Sequence, residues 1–325
     1  MKIIDMHCDT LGRLLGRRDG VERDLRHNDL HVDLEKMRKA DYMAQIFAMF
    51  VPIGRTEDPL TPCMEMLDRF WTEMERNSDI IAWAGNAADI RKNDAEGKMS
   101  GLLGIEDSGI IGGSLANLRL MYRMGVRLIT LSWNFENNVG SPNNTPEASA
   151  KGLKEHGIDF VREMGRLGMI VDVSHFSDAG FYDVCKYVNG PFVASHSNAR
   201  EVTSHTRNLT DDMLRKLAEH GGVTGLNFCG PFVGDYHGDM YNAPTLETHV
   251  SNLVEHVKHI VKVAGIETAA IGTDFDGISD RPLEMEDAGC MPVLVDALSK
   301  AGFSDSELEK ICWKNTLRVI EEVLR

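Results

Sequence analysis

Eight short apolar runs, separated by segments of helical period, constrain the fold of this chain more than any other feature. They lie near residues 2–7 (KIIDMH), 43–50 (MAQIFAMF), 101–106 (GLLGIE), 126–132 (VRLITLS), 169–175 (MIVDVSH), 192–196 (FVASH), 222–228 (GVTGLNF) and 269–274 (AAIGTD). Several are apolar on both faces, the pattern of parallel strands covered on both sides. The segments between them carry the other period. Across 247–264, Val250, Leu253, Val254, Val257, Ile260, Val261 and Ala264 return every three or four residues, with Asn252, Glu255, Lys258, His259 and Lys262 opposite. That is an amphipathic helix covering a sheet. The stretch 150–167 repeats the pattern and ends at Gly168, a C-cap before the next strand. Further helices are expected near 64–76, 115–124, 178–187 and 211–220, and the tail 291–325 reads as helical with a break at Gly302-Phe303-Ser304. Eight such alternations predict an α/β protein, a (β/α)8 TIM barrel with C-terminal helices, with 1–325 as one domain. An open doubly wound sheet is the competing architecture, but no G-x-G-x-x-G follows any strand.

Composition narrows the partners. The chain holds 50 acidic and 35 basic residues among 325, a formal net charge of −15. Such an acidic surface disfavours nucleic acid, which needs Lys and Arg to replace phosphate counterions, and equally disfavours an anionic lipid face. No apolar run approaches the roughly 18–20 residues of a membrane span. The opening MKIIDMHCDT lacks the long apolar stretch of a secretory signal. Six scattered cysteines without a C-x-x-C pair suit reduced thiols. A cytoplasmic location is therefore expected.

A barrel places its chemistry at the carboxyl ends of its strands, and ionisable residues gather there. Strand one ends in His7-Cys8-Asp9, where His7 and Asp9 share a face and Cys8 points away. The third run ends in Glu106, the fifth in His175, the sixth in His196 and the eighth in Asp274, followed by Phe275-Asp276-Gly277. Each alone is an ordinary polar loop residue. Five strand ends with the same placement converge at one mouth. Carboxylates crowded there unpaired would repel one another and be expensive to bury. Two divalent cations about 3.5–4 Å apart resolve that, with a bridging carboxylate and a water lowered toward hydroxide.

The segments IIDMHCDT, GLLGIED, MIVDVSH, FVASHS and AIGTDFDG resemble the membrane dipeptidase (renal dipeptidase) family of zinc metallopeptidases, within the metallo-dependent, amidohydrolase-like barrels. The likeness runs collinearly through GLKEHGIDFVREMGRLGMIVDVSH, the R-N-x-x-D element at Arg207-Asn208 and the N-x-L-R-V element at Asn315–Val319. It implies two zinc ions per subunit, with His7 and Asp9 on the first, His175 and His196 on the second, and Glu106 bridging them. Asp107 would face away. Asp274 matches the family's acid at the barrel end, implied to take the proton of the attacking water and deliver it to the leaving amine. Arg207 matches the arginine that receives the substrate's terminal carboxylate, which a planar guanidinium can grip bidentately. The implied reaction is hydrolysis of a dipeptide by metal-bridged hydroxide, with a C-terminal D-residue accepted, by a homodimer.

One position departs from the pattern. Many relatives carry a histidine after strand four that binds and polarises the substrate carbonyl, where this chain has Trp133. An indole donates one N–H and does not titrate, so Trp133 can line or orient but cannot carry charge. Asn137 and Asn138 are nearby donors, and the sequence selects neither. Two rival functions follow: a dinuclear amidohydrolase acting on N-acyl amino acids or lactones, and a non-catalytic binding relative. All six metal-type positions are filled, which disfavours the second. Among the other features, His249, His256 and His259 read as a solvated helix face, and His205 has an open position near Arg207. Asp172 reads as a hydrogen-bonding support within its strand. The segment 228–242 reads as a pocket wall or lid, with Tyr236 and His237 unassigned, and Trp71, Trp83 and Trp313 read as packing residues.

Overall fold

The computed structural model describes residues 1–16, 19–234 and 247–325. Its strands are β1 (Ile3–Cys8), β2 (Tyr42–Phe50), β3 (Ile81–Trp83), β4 (Met99–Glu106), β5 (Val126–Thr130), β6 (Ile170–Asp172), β7 (Val193–Ala194), β8 (Val223–Leu226) and β9 (Ala269–Ile271). They form one parallel sheet in the order β2-β1-β9-β8-β7-β6-β5-β4, closed by a β2–β4 ladder into an eight-stranded barrel. β3 is an addition that the sequence did not announce. It pairs with the first residues of β4, from Ile81 opposite Met99 to Trp83 opposite Gly101, and three residues are too few to display a period.

The lumen is filled from every barrel strand, by residues such as Met6, Ile46, Leu102, Leu128, Val193 and Ala270. Its lower end is closed by the last helix, Asn315–Val323, through Leu317, Val319 and Ile320. The N-x-L-R-V element thereby gains a physical reason. Asn315 donates to the carbonyls of Ile266 and Ala269 at 2.7 and 2.8 Å, and Arg318 donates to Gly221 and Glu267 carbonyls. The motif seals the barrel floor, at the opposite end from the chemistry. A larger apolar cluster lies between the strands and the covering helices.

The expected helices form, the one expected at 150–167 beginning at Glu155 and running to Leu167, with a separate short helix at Pro146–Ser149 before it. Gly168 ends the latter in the left-handed region (φ 75°). The tail breaks after Met291–Lys300, with Gly302 at φ 104°. Several strands stop short of the apolar runs that announce them. β6 ends at Asp172 rather than 175, β7 at Ala194 rather than 196, and β9 at Ile271 rather than 274. The residues cut off include His175, His196 and Asp274. Their backbones leave the ladder because neighbouring N–H groups turn to buried carboxylates, and His175 and Asp274 take positive φ values of 64° and 63°.

β1 reaches the mouth by another device. From Asp5 to Cys8 it advances three residues while β2 advances two, Gln45 to Phe47. Met6 consequently faces the lumen and Cys8 the outer core, although they are two apart. Such a bulge re-aims the side chain beside it, here His7.

One expectation is corrected. His256 is not on a solvated face but fully buried, because helix Val250–Ala264 packs onto the loop leading to Arg207. Its Nδ1 accepts from Ala199 N at 3.2 Å, while Nε2 lies 3.2 Å from the Val233 carbonyl and 3.3 Å from Thr203 Oγ1. His259 stays at the rim, 2.6 Å from Asp211. Burial lowers the His256 imidazole to about 4. The unfolded chain, with histidine near 6.5, therefore binds more protons between those values, so stability should fall as pH drops from about 6.5 to about 4. Urea denaturation across that window should show a shallower loss in His256→Gln than in the wild type. Equal slopes would remove His256 from the acid-labile groups.

Candidate metal centre

The structure brings the six predicted residues together at the carboxyl ends of the strands. Glu106, the last residue of β4, is the hub. Its Oε2 lies 3.6 Å from His7 Nε2, and its Oε1 lies 3.1 Å from His175 Nε2 and 3.7 Å from His196 Nε2. Two sets of ligand atoms each fall within 4.8 Å: His7, Glu106 and His196, and His7, Asp9 and Asp274. His7 belongs to both. All six residues are at most 9% exposed.

The tautomers show what these atoms face. Ser195 Oγ donates to Asp172 Oδ2 at 2.6 Å, so it can only accept from His196 Nδ1, 2.7 Å away. Asn134 Oδ1 accepts from His175 Nδ1 at 3.2 Å. In both imidazoles the proton sits on Nδ1, and the Nε2 lone pair is aimed at Glu106. Bare acceptors facing a carboxylate are the arrangement a cation resolves. Nε2 of His7 and of His196 is buried with no hydrogen-bond partner among the described residues. Burial would lower the His7 imidazole, but the Glu106, Asp9 and Asp274 carboxylates raise it to about 10. Burial opposes ionisation of Glu106, yet His7 and His175 hold it well below the usual carboxylate range. His175 and His196 are pushed down by burial and by nearby cationic groups. One set of donors thus favours positive charge and the other stays neutral. Imidazole and carboxylate donors of this kind suit zinc.

Two buried aspartates set this geometry, and each repeats the other's work. Asp172 Oδ1 accepts from Ser174 N and Ser195 N at 3.0 and 2.8 Å, and its Oδ2 from Ser195 Oγ and Thr130 Oγ1, both at 2.6 Å. Asp5 Oδ1 accepts from His7 N and Thr273 N at 3.2 and 3.0 Å, and its Oδ2 from Thr273 Oγ1 at 2.7 Å. Each carboxylate replaces ladder bonds just where two strands release their ligands. Asn227, beyond β8, donates to Asp274 Oδ2 at 3.0 Å and to the His196 carbonyl at 3.1 Å. The sequence reading missed Asn227, although a polar residue ending a strand is the signal that identified the others. Gly277 is required by close approach: a Cβ there would lie 2.1 Å from Asp9 Oδ2 and 2.4 Å from Asp274 Oδ1.

Arg207 is 4% exposed, donating to Ser197 Oγ and the His196 carbonyl at 3.2 Å each, with its Nε unpartnered among the described residues. Its guanidinium lies 5.3 Å from the Phe232 ring centroid. His205 turns inward to accept from Arg207 N at 3.1 Å, so it shapes this loop rather than opening to the mouth. Trp133 is half-buried, 4.8 Å from Phe50 and 6.2 Å from His175 between ring centroids. It borders a cavity of about 420 Å³ that also reaches Asp9. Neither nearby asparagine supplies the missing donor. The Asn137 amide is spent on Asp107 Oδ1 and the Leu131 carbonyl at 2.7 and 2.8 Å, and that of Asn138 on the Gly112 carbonyl. Asp107 faces away as expected, held by Asn137 and Gly109 N, and burial raises it to about 6. Of the segment 228–242, Phe228 to Gly234 are buried or nearly so, while Tyr236 and His237 lie outside the described residues.

A closed parallel barrel with this cluster at its mouth defines a class, the metallo-dependent hydrolase TIM barrels. A metallopeptidase from Rhodobacter sphaeroides, solved with a phosphinate mimic of the dipeptide L-Ala-D-Ala, superposes with a TM-score of 0.87 at 27% identity over 99% of both chains. A second structure, dipeptidase AC, gives 0.86 at 28% identity, covering 100% of this chain and 99% of its own. Dipeptidase tcpJ of Claviceps purpurea is 31% identical over 303 residues, 90% of this chain and 69% of that protein. The family description "Membrane dipeptidase (Peptidase family M19)" matches residues 1–325, and the chain belongs to that family of metallo-dipeptidases. Among the described residues, no helix is long and apolar enough to cross a membrane.

Replacing Asp172 tests the support of the centre. Asp172→Asn puts an NH2 where Ser195 Oγ and Thr130 Oγ1 now donate, which should misorient His196. Metal affinity should fall about 10- to 100-fold, the usual cost of losing such a support, with the circular dichroism spectrum retained. Unchanged affinity by metal titration would count against the Asp172–Ser195–His196 chain.

Proposed function

We propose that this protein is a dinuclear zinc dipeptidase that works as a cytoplasmic homodimer. The reading is carried by one observation in a chain of dipeptidase family: a buried carboxylate, Glu106, faced by three imidazole Nε2 atoms at 3.1–3.7 Å. Glu106 would bridge two zinc ions, one completed by His7 and Asp9, the other by His175 and His196. When bound, such a pair polarises a peptide carbonyl and makes water a competent nucleophile at neutral pH.

The remaining work falls to the chain. Arg207 fixes the substrate's terminal carboxylate, since its buried guanidinium keeps donor capacity unspent at Nε. That sets the length of peptide admitted. Asp274 holds the proton taken from the attacking water and passes it to the leaving amine, a base and then acid role. Burial and the neighbouring Glu106 raise the Asp274 carboxyl, while His7, Arg207 and the Asn227 amide oppose them. Asn227 occupies Oδ2, which leaves Oδ1 for the proton. Trp133 offers a wall rather than a charge, so this position supplies no cationic partner to the substrate carbonyl. Acceptance of a C-terminal D-residue is supported by the L-Ala-D-Ala mimic held by the Rhodobacter sphaeroides relative. An N-acyl amino acid also ends in a free carboxylate that Arg207 would grip, which keeps that hydrolase activity as the second reading.

Purified protein should contain two equivalents of zinc, and exhaustive chelation should abolish dipeptide hydrolysis until zinc is restored. Turnover unaffected by chelation would end the proposal. Arg207→Ala should lower kcat/KM for dipeptides about 10- to 100-fold, the worth of a charged hydrogen bond, and spare their C-terminal amides. Equal loss on both would take the carboxylate role from Arg207.

A further inference from the structure

The cavity of about 420 Å³ beside Trp133 has chemistry of its own. It opens on the Asp9 side of the centre and does not include Arg207. Its walls are apolar, formed by Phe50, Pro52, Pro62 and Trp133, and two cations, Arg13 and Arg55, stand along it. Arg13 belongs to the short helix Thr10–Leu14 that follows Asp9 directly. Its buried Nε has no hydrogen-bond partner among the described residues. Among the described residues neither guanidinium has an ion pair or a side-chain hydrogen bond. That contrasts with Arg23, Arg26, Arg91, Arg119, Arg166 and Arg200, each of which meets a carboxylate. In a chain with 50 acidic and 35 basic residues, a half-buried arginine and an exposed one, neither in ion-pair range of a described carboxylate, stand at the edge of one cavity and can receive an anion there. Arginine suits that use because its fork matches a carboxylate.

We propose that this cavity is the subsite for the amino-terminal side chain of the substrate, and that Arg13 and Arg55 select dipeptides beginning with an acidic residue. The inference rests on the dipeptidase reading. With the terminal carboxylate held by Arg207, the residue before the scissile bond is the one that extends across the centre toward Asp9 and the cavity. A glutamyl or aspartyl side chain packs its methylenes against Trp133 and Phe50 and presents its carboxylate to the guanidinium groups. A lysyl side chain meets two like charges, and a neutral isostere leaves both arginines unsatisfied.

The test compares Glu-Ala, Gln-Ala, Leu-Ala and Lys-Ala on the zinc-loaded enzyme. Glu-Ala should exceed Gln-Ala in kcat/KM by about 10- to 100-fold, on the scale of a charged hydrogen bond, with Lys-Ala slowest. The Glu:Gln ratio should collapse toward unity in the double variant Arg13→Met, Arg55→Met and recover in part when both are lysine. Binding gives a readout independent of turnover. Phosphinate analogues of Glu-Ala and Gln-Ala should differ by a similar factor in calorimetric affinity, and the variant should erase the difference. Hydrolysis of Leu-Ala with equal rates on Glu-Ala and Gln-Ala would overturn this subsite while leaving the dipeptidase reading intact. A Glu preference that survives the double variant would also overturn it. Failure to cleave any of the four would instead strike the dipeptidase reading.

Discussion

Glu106 is a carboxylate buried among three imidazoles, and the upper end of the barrel is arranged around keeping it there. An ion removed from water costs several kcal/mol unless partners of opposite charge and full hydrogen bonding replace the solvent. His7 answers Glu106 with positive charge, but His196 and His175 turn nitrogen lone pairs toward it, because Ser195 and Asn134 draw their imidazole protons to the far side of each ring. The site is incomplete as an assembly of side chains alone. Metal affinity and fold stability are therefore linked: a cation that binds this cluster stabilises the folded state that holds the donors in place.

The same constraint shapes the backbone. His175, His196 and Asp274 lie beyond the ladder, and the N–H groups released there cannot be abandoned in a dry interior. Asp5 and Asp172 solve this in the same way at different points of the ring. Each accepts two main-chain N–H groups on one oxygen and hydroxyls on the other. The strand ends become rigid without being regular, as preorganised ligands require. The bulge in β1 serves the same end by lengthening one strand against its neighbour.

This division explains what could be read from the sequence. Period and apolarity belong to regular elements, so the eight barrel strands, the covering helices and the capped break at Gly302 were legible. The convergence of six ionisable residues at one mouth was legible because they share one placement on those strands. Supporting residues were legible in part: Asp172 reads as a hydrogen-bonding support, but nothing local distinguishes a carboxylate that accepts four hydrogen bonds from one that accepts two. His256 was misplaced because a helix facing a loop, rather than a strand, buries a wider arc than its apolar stripe suggests. Asn137 and Asn138 were indistinguishable in sequence, and the fold gives both structural work, since each amide meets a carbonyl or carboxylate fixed by distant chain.

The mouth also divides its charge by position. Its carboxylates lie at the centre, where imidazoles answer them, while Arg207 lies to one side and Arg13 and Arg55 to the other. A net charge of −15 would by itself repel an anionic peptide. Local cations in a cleft with apolar walls act against that repulsion at short range, where the field is focused and screening is weak. The long-range field and the subsites therefore select on different grounds: the first disfavours polyanions, and the second admits a small acid whose two carboxylates each reach a guanidinium. A peptide one residue longer would move its carboxylate away from Arg207 while its scissile bond stayed at the metals. The separation of Arg207 from the metal-type residues, more than the volume of the cavity, is then what limits the substrate to two residues.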